Sequence, residues 1–131
     1  MANANFTMVW SVDNSSQEST SFTITDTGVL PVLDIDDLTT PVTNSQYVCA
    51  IDVSQLKCFV IVATEDCTLK ANSSSAPDFT LTLKADKPLL WWENCGYTNL
   101  MTTDVTSFYL TCAATATDFD LTLRGIYDPT P

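Results

Sequence analysis

Any chemistry in this chain would have to come from carboxylates, thiols, lysines and aromatic rings, because its 131 residues include no histidine. That composition excludes Ser-His and Cys-His nucleophile pairs, histidine-bearing metal sites and the commonest general base at neutral pH. Ser54 and Lys57 have the Ser-x-x-Lys spacing of acyl-transfer enzymes, which place the pair on a helix beside further motifs. Here the pair leads into a strand-like run and no Lys-Thr-Gly partner is present. The sequence therefore predicts a protein that is not an enzyme.

A group of aspartates offers a metal hypothesis. Asp34, Asp36 and Asp37 could supply oxygen ligands to a calcium ion, since hard cations prefer clustered carboxylates. Strand alternation, however, places Asp34 and Asp36 on one face and Asp37 on the other, which leaves two ligands at most. A solvated strand edge is the favoured interpretation. We therefore expect no metal and no cofactor, with Asp34 and Asp36 as the weak metal candidates.

The chain contains an odd number of cysteines, and no two of them form a Cys-x-x-Cys pair. This spacing favours reduced thiols, most of them buried in the core, where cysteine behaves as a small apolar residue. A zinc site made only of cysteines is the alternative, and the irregular spacing disfavours it. The five residues are Cys49, Cys58, Cys67, Cys95 and Cys112.

Trp91 and Trp92 are the strongest binding candidates. Neighbouring strand residues point to opposite faces, so both rings cannot enter one core. Aromatic rings are common platforms for sugars and common anchors of protein interfaces. Together with Tyr97 on the irregular segment that follows, they predict an interface or ligand-binding patch. The alternative is structural: one tryptophan packs in the core and the loop Glu93–Thr103 covers the other.

Composition restricts the partners. The net charge of −11 repels phosphate backbones and anionic lipid surfaces, and the five basic residues are scattered along the sequence. We expect no direct nucleic-acid binding and no membrane attachment. Because no leader-like segment or long apolar run is present, the sequence also predicts a soluble protein made in a reducing cytoplasm.

The elements that would position these residues are strands. The heptad Asp78–Lys84 returns as Asp118–Arg124, with apolar residues at every second place in both copies. We expect the two to occupy comparable places in the fold. The runs Leu56–Ala63 and Phe108–Ala114 predict central strands, the first buried on both faces. A shared Asp-Val-Ser/Thr segment before each run indicates either a duplicated hairpin or convergent patterning.

Turn signals between these runs complete the prediction. Pro31 and nearby acidic residues mark Val32–Asp36 as an edge strand. Asn72–Pro77 predicts a flexible loop, and the broken alternation at Gly125 predicts a β-bulge that turns Ile126 inward. The sequence therefore predicts the all-β fold class. We expect residues 1–131 to form a single antiparallel β-sandwich that is jelly-roll-like. The spacing of the turn signals predicts about eight to ten short strands.

The C-terminal half carries a leucine-rich strand that ends in Leu83-Lys84-Ala85, a short turn, an apolar strand and a late strand hairpin. These features lie in segments 83–91, 104–110 and 119–131. In this pattern the chain resembles small all-β virion structural proteins of tailed phages, such as head decoration or cement proteins and small fibre or tail pieces. The resemblance implies a virion component made in the host cytoplasm, and it carries over no catalytic residues.

Taken together, the sequence predicts a non-enzymatic virion structural protein. It would form homo-oligomers or bind the major capsid protein or another virion protein, with Trp91 or Trp92 as the anchor. The alternative is a carbohydrate-binding or host-recognition module. In that case one tryptophan and Tyr97 would share an exposed strip with Asn94 or Asn99 beside them.

Overall fold

A computed structural model describes residues 2–12, 16–26 and 28–127 of the chain, with side chains from Val32 to Tyr127. This part of the chain is all-β and contains no helix, and therefore none that could cross a membrane. The strands are β1 (Ala2–Val12), β2 (Ser16–Asp26), β3 (Gly28–Ile51), β4 (Leu56–Ala63), β5 (Cys67–Ala71), β6 (Thr80–Leu83), β7 (Leu89–Trp92) and β8 (Val105–Tyr127).

The long strand β8 organises the sheet. Along one edge it pairs with β3, and along the other it pairs with β5 near its start and with β4 near its end. The short strands β6 and β7 extend the sheet beyond β5 and β4, in the order β6-β5-β8-β4-β7. All these pairings are antiparallel, while β1 and β2 form a separate two-stranded sheet.

The six-stranded sheet curls into a half-barrel. The β3–β8 ladder changes register repeatedly, for example between Ile35 and Leu38 and between Val42 and Ser45. Each shift is a bulge or irregularity, and bulges bend a strand and increase its twist. The all-β prediction is confirmed by the absence of any helix in the described residues. The sandwich or jelly-roll arrangement stays a prediction. The strands are also not uniformly short, since β3 has 24 residues and β8 has 23.

The core lies on the concave face of this sheet. Its largest fully buried side chains include Phe59, Phe108 and Phe119, one from β4 and two from β8. Within the second heptad, Phe119, Leu121 and Leu123 are buried while the residues between them are half-exposed, so its predicted alternation is confirmed. Burial of these apolar side chains is the main source of stability.

The two heptads occupy different places, which corrects the expectation that they are equivalent. Residues 80–83 form the edge strand β6, whereas residues 118–124 lie in the C-terminal half of β8, the central strand of the sheet. The duplicated-hairpin hypothesis also fails, because residues 105–127 form one strand where a duplication requires two. An identical alternating pattern suits both positions, since each needs only one apolar face.

Two details of the central strands also differ from the predictions. The strand β4 has the predicted ends, but its second face is only partly buried: Cys58 is buried there, whereas Val60 and Val62 remain half-exposed. Neither ladder shifts register at Gly125 itself. One shift lies across from Ile126 and Tyr127, between Leu56 and Cys58 of β4, and another lies between Pro31 and Leu33 of β3, across from Arg124 and Leu123. Glycine suits position 125 because an added Cβ would lie 3.2 Å from Leu56 Cδ1 and 3.4 Å from the Cys58 carbonyl oxygen.

Pro31 does not interrupt β3, which runs through it and through Pro41. Within the described residues, β3 pairs only with β8 and is an edge strand, as predicted for Val32–Asp36. An edge position tolerates proline because the missing N–H can face away from the ladder. The sequence also predicts an alternating strand from Phe6 to Val12 and a turn at 13–16. The alternation concerns side chains outside the described set, and the turn falls mostly on residues outside it.

The loop 72–77 is tied down by hydrogen bonds rather than open. The Ser73 hydroxyl accepts hydrogen bonds from the backbone N–H groups of Ser75 and Ala76, at 3.3 and 3.0 Å. Lys70 Nζ donates to the carbonyl of Ser74 at 3.1 Å. Serine in this role mimics a backbone turn, so the serine-rich composition here builds a turn.

We expect Tyr127→Phe to lower the free energy of unfolding by about 1 kcal/mol. The buried Tyr127 hydroxyl accepts a hydrogen bond from Asp52 N–H at 2.8 Å, and burial raises its pKa above 10.0. A raised folded-state pKa means that this contribution is complete below pH 10 and is lost as pH rises further. In urea unfolding, the difference in the free energy of unfolding between variant and wild type should therefore become smaller above that pH. Tyr97→Phe, which alters an exposed ring, is the control and should match wild type.

Candidate functional site

Two of the three predicted binding residues, Trp91 and Tyr97, line one groove at the β7 edge of the half-barrel. This groove has a volume of about 400 Å³ and an almost wholly apolar lining. The strand β7 forms one wall, and within the described residues it pairs only with β4. The lining residues are Phe59, Leu89, Leu90, Trp91, Tyr97, Thr98 and Leu100.

Trp91 forms the inner wall of the groove. It stands opposite Phe59 in the β4–β7 ladder, and the two rings stack with centroids 6.1 Å apart. Its indole Nε1 donates a hydrogen bond to the carbonyl of Tyr97 at 3.1 Å. Trp91 is half-buried and packs against the core, so it supports the groove and does not project from it.

Trp92 occupies the opposite face of the sheet. It stands across from Cys58, which is buried outside the main core together with its other ladder partner, Ile126. Burial raises the pKa of the Cys58 thiol to about 11, so that thiol stays protonated at neutral pH. Trp92 is half-buried and is not among the residues that line the groove. The structure therefore separates the two tryptophans and places only Trp91 beside Tyr97.

The segment between β7 and β8 presents the outer rim of the groove. It is held at its start by the Glu93 N–H, which donates to the Lys57 carbonyl at 2.8 Å, and near its end by the buried Met101. Asn94 and Gly96 have positive φ values of 66° and 90°, which the tight turn requires. Between these anchors most of the side chains are exposed to solvent.

Tyr97 and Leu100 are the exposed members of the site. Tyr97 is 82% exposed and Leu100 is 53% exposed, and among the described residues Val48 is the one other large apolar side chain of this kind. Leu100 was missed by the sequence analysis. The segment Asn99-Leu100-Met101 has no periodicity that could distinguish the exposed leucine from the buried methionine. Asn99 Oδ1 accepts the Met101 N–H at 2.9 Å, and neither Asn94 nor Asn99 lines the groove.

The acidic metal candidates are arranged differently from a cation site. Both carboxylate oxygens of Asp34 accept hydrogen bonds from Arg124, at 2.7 and 3.2 Å. Asp36 is exposed, and the Asp37 N–H donates to Asp120 Oδ1 at 2.9 Å. The described residues contain no group of three or more Cys, Asp or Glu side chains that could hold a metal ion. The arrangement here is an ion pair across the β3–β8 ladder.

Basic side chains lie around the β7 edge. The backbones of Lys84 and Lys87 form an isolated antiparallel β-bridge just before β7. Just after β7, Glu93 Oε2 forms an ion pair with Lys57 Nζ at 2.7 Å. Asp66 joins this group, since it accepts the Ala85 N–H at 2.8 Å and lies 3.5 Å from Lys84 Nζ. The hydrogen bond from Ala85, followed by the charge of Lys84, holds the pKa of the Asp66 carboxyl below its ordinary value. Three of the five basic residues of an acidic chain thus lie near the two ends of β7, although none of them is among the lining residues of the groove.

Comparison of the chain with models of protein families, with curated proteins and with solved structures finds no match.

Proposed function

We propose that this chain is a non-enzymatic structural protein of a viral particle, a capsid decoration or cement protein or another assembly component. It associates with copies of itself and with the shell through the groove at β7. The observation that carries the proposal is the exposed pair Tyr97 and Leu100 on the rim of an apolar groove. Exposed aromatic residues beside a preformed pocket are typical anchors of protein interfaces.

The position of β7 at the end of the sheet and the lysines near it support the same assembly role. Within the described residues β7 is the last strand of the sheet and pairs only with β4, so a strand of a neighbour could add beside it and extend the sheet across an interface. Repulsion between copies with a net charge of −11 is weakest where basic residues gather, and Lys57, Lys84 and Lys87 lie beside this edge. A jelly-roll-like sandwich, with the β1–β2 hairpin contributing to a second layer, is the compact form proposed for the whole chain.

The alternative is a carbohydrate-binding or host-recognition module, and the shared groove of Trp91 and Tyr97 favours it over other ligand classes. A sugar site also needs several convergent polar groups. Among the described lining residues Thr98 is the one small polar side chain, and the Trp91 N–H already donates a hydrogen bond to the Tyr97 carbonyl. The groove therefore suits an apolar protein segment better than a glycan.

The double substitution of Tyr97 and Leu100 by serine should weaken self-association at least about tenfold, because it removes the exposed anchors of the interface. Mass photometry and sedimentation of the full chain over a concentration series measure this. The melting temperature should stay close to that of wild type, since neither side chain is buried. Added salt should strengthen association of the wild type by screening the repulsion between acidic copies.

Val48→Ser is the matched control, because Val48 is 81% exposed but does not line the groove. It should leave association unchanged. A wild-type chain that stays monomeric at every concentration and salt level contradicts self-association through this groove. Binding to a glycan array that is lost in the double variant would instead favour the carbohydrate module.

A further inference from the structure

Two of the five cysteines face each other across adjacent strands. Thr68 pairs with Thr111 in the antiparallel β5–β8 ladder, so the next facing positions are Cys67 and Cys112. Both side chains belong to the core cluster, with 6% and 0% of their surfaces exposed. Burial, and after it the neighbouring Cys112, raises the pKa of the Cys67 thiol to about 12. The two thiols therefore lie close together on the concave face.

Facing positions in an antiparallel ladder have the spacing that a disulfide needs. Their Cα atoms lie about 4.5–5.5 Å apart, within the range of about 4.4–6.8 Å that a disulfide spans. The other thiols lack such a partner in the described sheet. Cys58 faces Trp92 and Ile126, Cys49 lies on β3 across from the start of β8, and Cys95 lies on the loop after β7.

We propose that Cys67 and Cys112 form a redox-sensitive clasp, which closes into an intramolecular disulfide when the protein meets a small disulfide oxidant such as oxidised glutathione. The Cys67 thiolate attacks one sulfur of the oxidant and releases one glutathione thiolate. The Cys112 thiolate then attacks the Cys67 sulfur of the mixed disulfide and releases the second. The protein loses two electrons and two protons, and the oxidant becomes two glutathione thiols.

The place of the two cysteines in the fold explains why they are reduced at first and form the disulfide only when an oxidant reaches Cys67. Burial raises the pKa of the Cys67 thiol, so Cys67 forms little thiolate at neutral pH and does not react within the closed sheet. However, β5 and β6 have only five and four residues and form one end of the sheet, where local opening costs least. Cys67 is the first residue of β5, beside the turn at Glu65 and Asp66, so it meets the oxidant first. Reclosure brings it against Cys112.

A closed clasp would fasten the β5–β6 hairpin to β8. The bond would link two strands that are distant in sequence, and a loop of this length predicts a rise in melting temperature of about 10 °C. Hydrogen exchange of β5 and β6 should slow at the same time. This effect does not depend on the groove at β7, so it tests a property separate from the proposed assembly role.

The experiment uses the full chain, incubated under native conditions with oxidised glutathione, followed by alkylation of free thiols in denaturant and peptide mapping by mass spectrometry. The expected product is a peptide pair joined through Cys67 and Cys112, in a monomer lighter by two hydrogen atoms. Its melting temperature should rise and should return to the starting value after reduction.

Cys95→Ser is the matched control. It should still form the bond, because Cys95 lies on the loop between β7 and β8, outside the β5–β8 ladder. Cys67→Ser and Cys112→Ser should both abolish it. The mapping of the wild-type protein decides the question even if one of these variants does not fold. A bond between any other cysteines, a bond that forms only after denaturation, or a linked protein with an unchanged melting temperature would overturn the proposal.

Discussion

Replacing Trp91 by alanine is expected to lower the free energy of unfolding by about 3 kcal/mol, although the ring is only half-buried. Its side chain stacks on Phe59, packs against the core and donates a hydrogen bond to the Tyr97 carbonyl. Alanine leaves a cavity beside Phe59 and also releases the loop that carries Tyr97. Urea unfolding measures the first effect, and hydrogen exchange of residues 93–103 measures the second.

Trp91→Phe separates the two contributions. It keeps an aromatic ring against Phe59 but removes the indole N–H, so we expect a loss of about 1 kcal/mol together with faster exchange at Tyr97 and its neighbours. If Trp91→Ala cost less than about 1 kcal/mol and left the exchange of the loop unchanged, Trp91 would not support the groove. In that case its role would be contact with a partner, as the sequence alone suggests.

Replacing Asn72 by alanine is expected to cost about 3–4 kcal/mol, a large effect for one polar residue near the surface. Its amide nitrogen donates to Asp78 Oδ2 at 2.7 Å and to the Asp104 carbonyl at 2.8 Å. Its amide oxygen accepts the Thr106 N–H at 2.8 Å. Asn72 also has a φ of 67°, which asparagine tolerates better than alanine. One side chain thus joins the end of β5, the approach to β6 and the start of β8.

Two further variants separate the contributions of the hydrogen bonds and of the backbone conformation to the stability lost in Asn72→Ala. Asn72→Gly loses the same hydrogen bonds but fits the positive φ, and we expect it to be about 1 kcal/mol more stable than the alanine variant. Asn72→Asp keeps the acceptor for Thr106 but places a second carboxylate beside Asp78, so it should recover part of its stability at acidic pH. Chemical denaturation at two pH values tests both. Equal stability of the alanine and glycine variants would refute the backbone contribution.

The predictions that succeeded rest on local periodicity. The run Leu56–Ala63 matches β4 at both ends, and the apolar places of the second heptad fill the core. Alternation reports which residues share a face, and it does so without knowledge of the partner strand. It does not report where a strand lies in the sheet, which is why two nearly identical heptads were expected at equivalent places.

Strand length and curvature could not be read from the sequence. The sequence predicts only a short edge strand at Val32–Asp36, which starts after Pro31 because proline removes a ladder donor. The chain nevertheless continues as one bulged strand along an edge, where that donor is not needed. Bulges depend on the pairing of residues that are distant in sequence, so their positions emerge only with the fold.

The site could be predicted in part. The pairing of Trp91 with Tyr97 around one patch follows from their nearness in sequence and from the need of two adjacent tryptophans to face opposite ways. Leu100 and Asn72 could not be found, because an exposed leucine and a bridging asparagine have no local pattern. Their roles come from contacts between segments that only the fold brings together.

The strand β8 also sets the order in which the protein can form. Its residues 105–127 supply the partner for β3, β4 and β5, and each of those strands precedes it in the chain. Gly28 meets Tyr127 and Ile51 meets Val105, so the longest ladder joins some of the most distant parts of the chain. Contacts of such long range make folding slow, because the chain entropy of large loops is lost before the contacts form. During synthesis β3, β4 and β5 leave the ribosome before their common partner β8, so their pairing with it, and the burial that this pairing brings, come last.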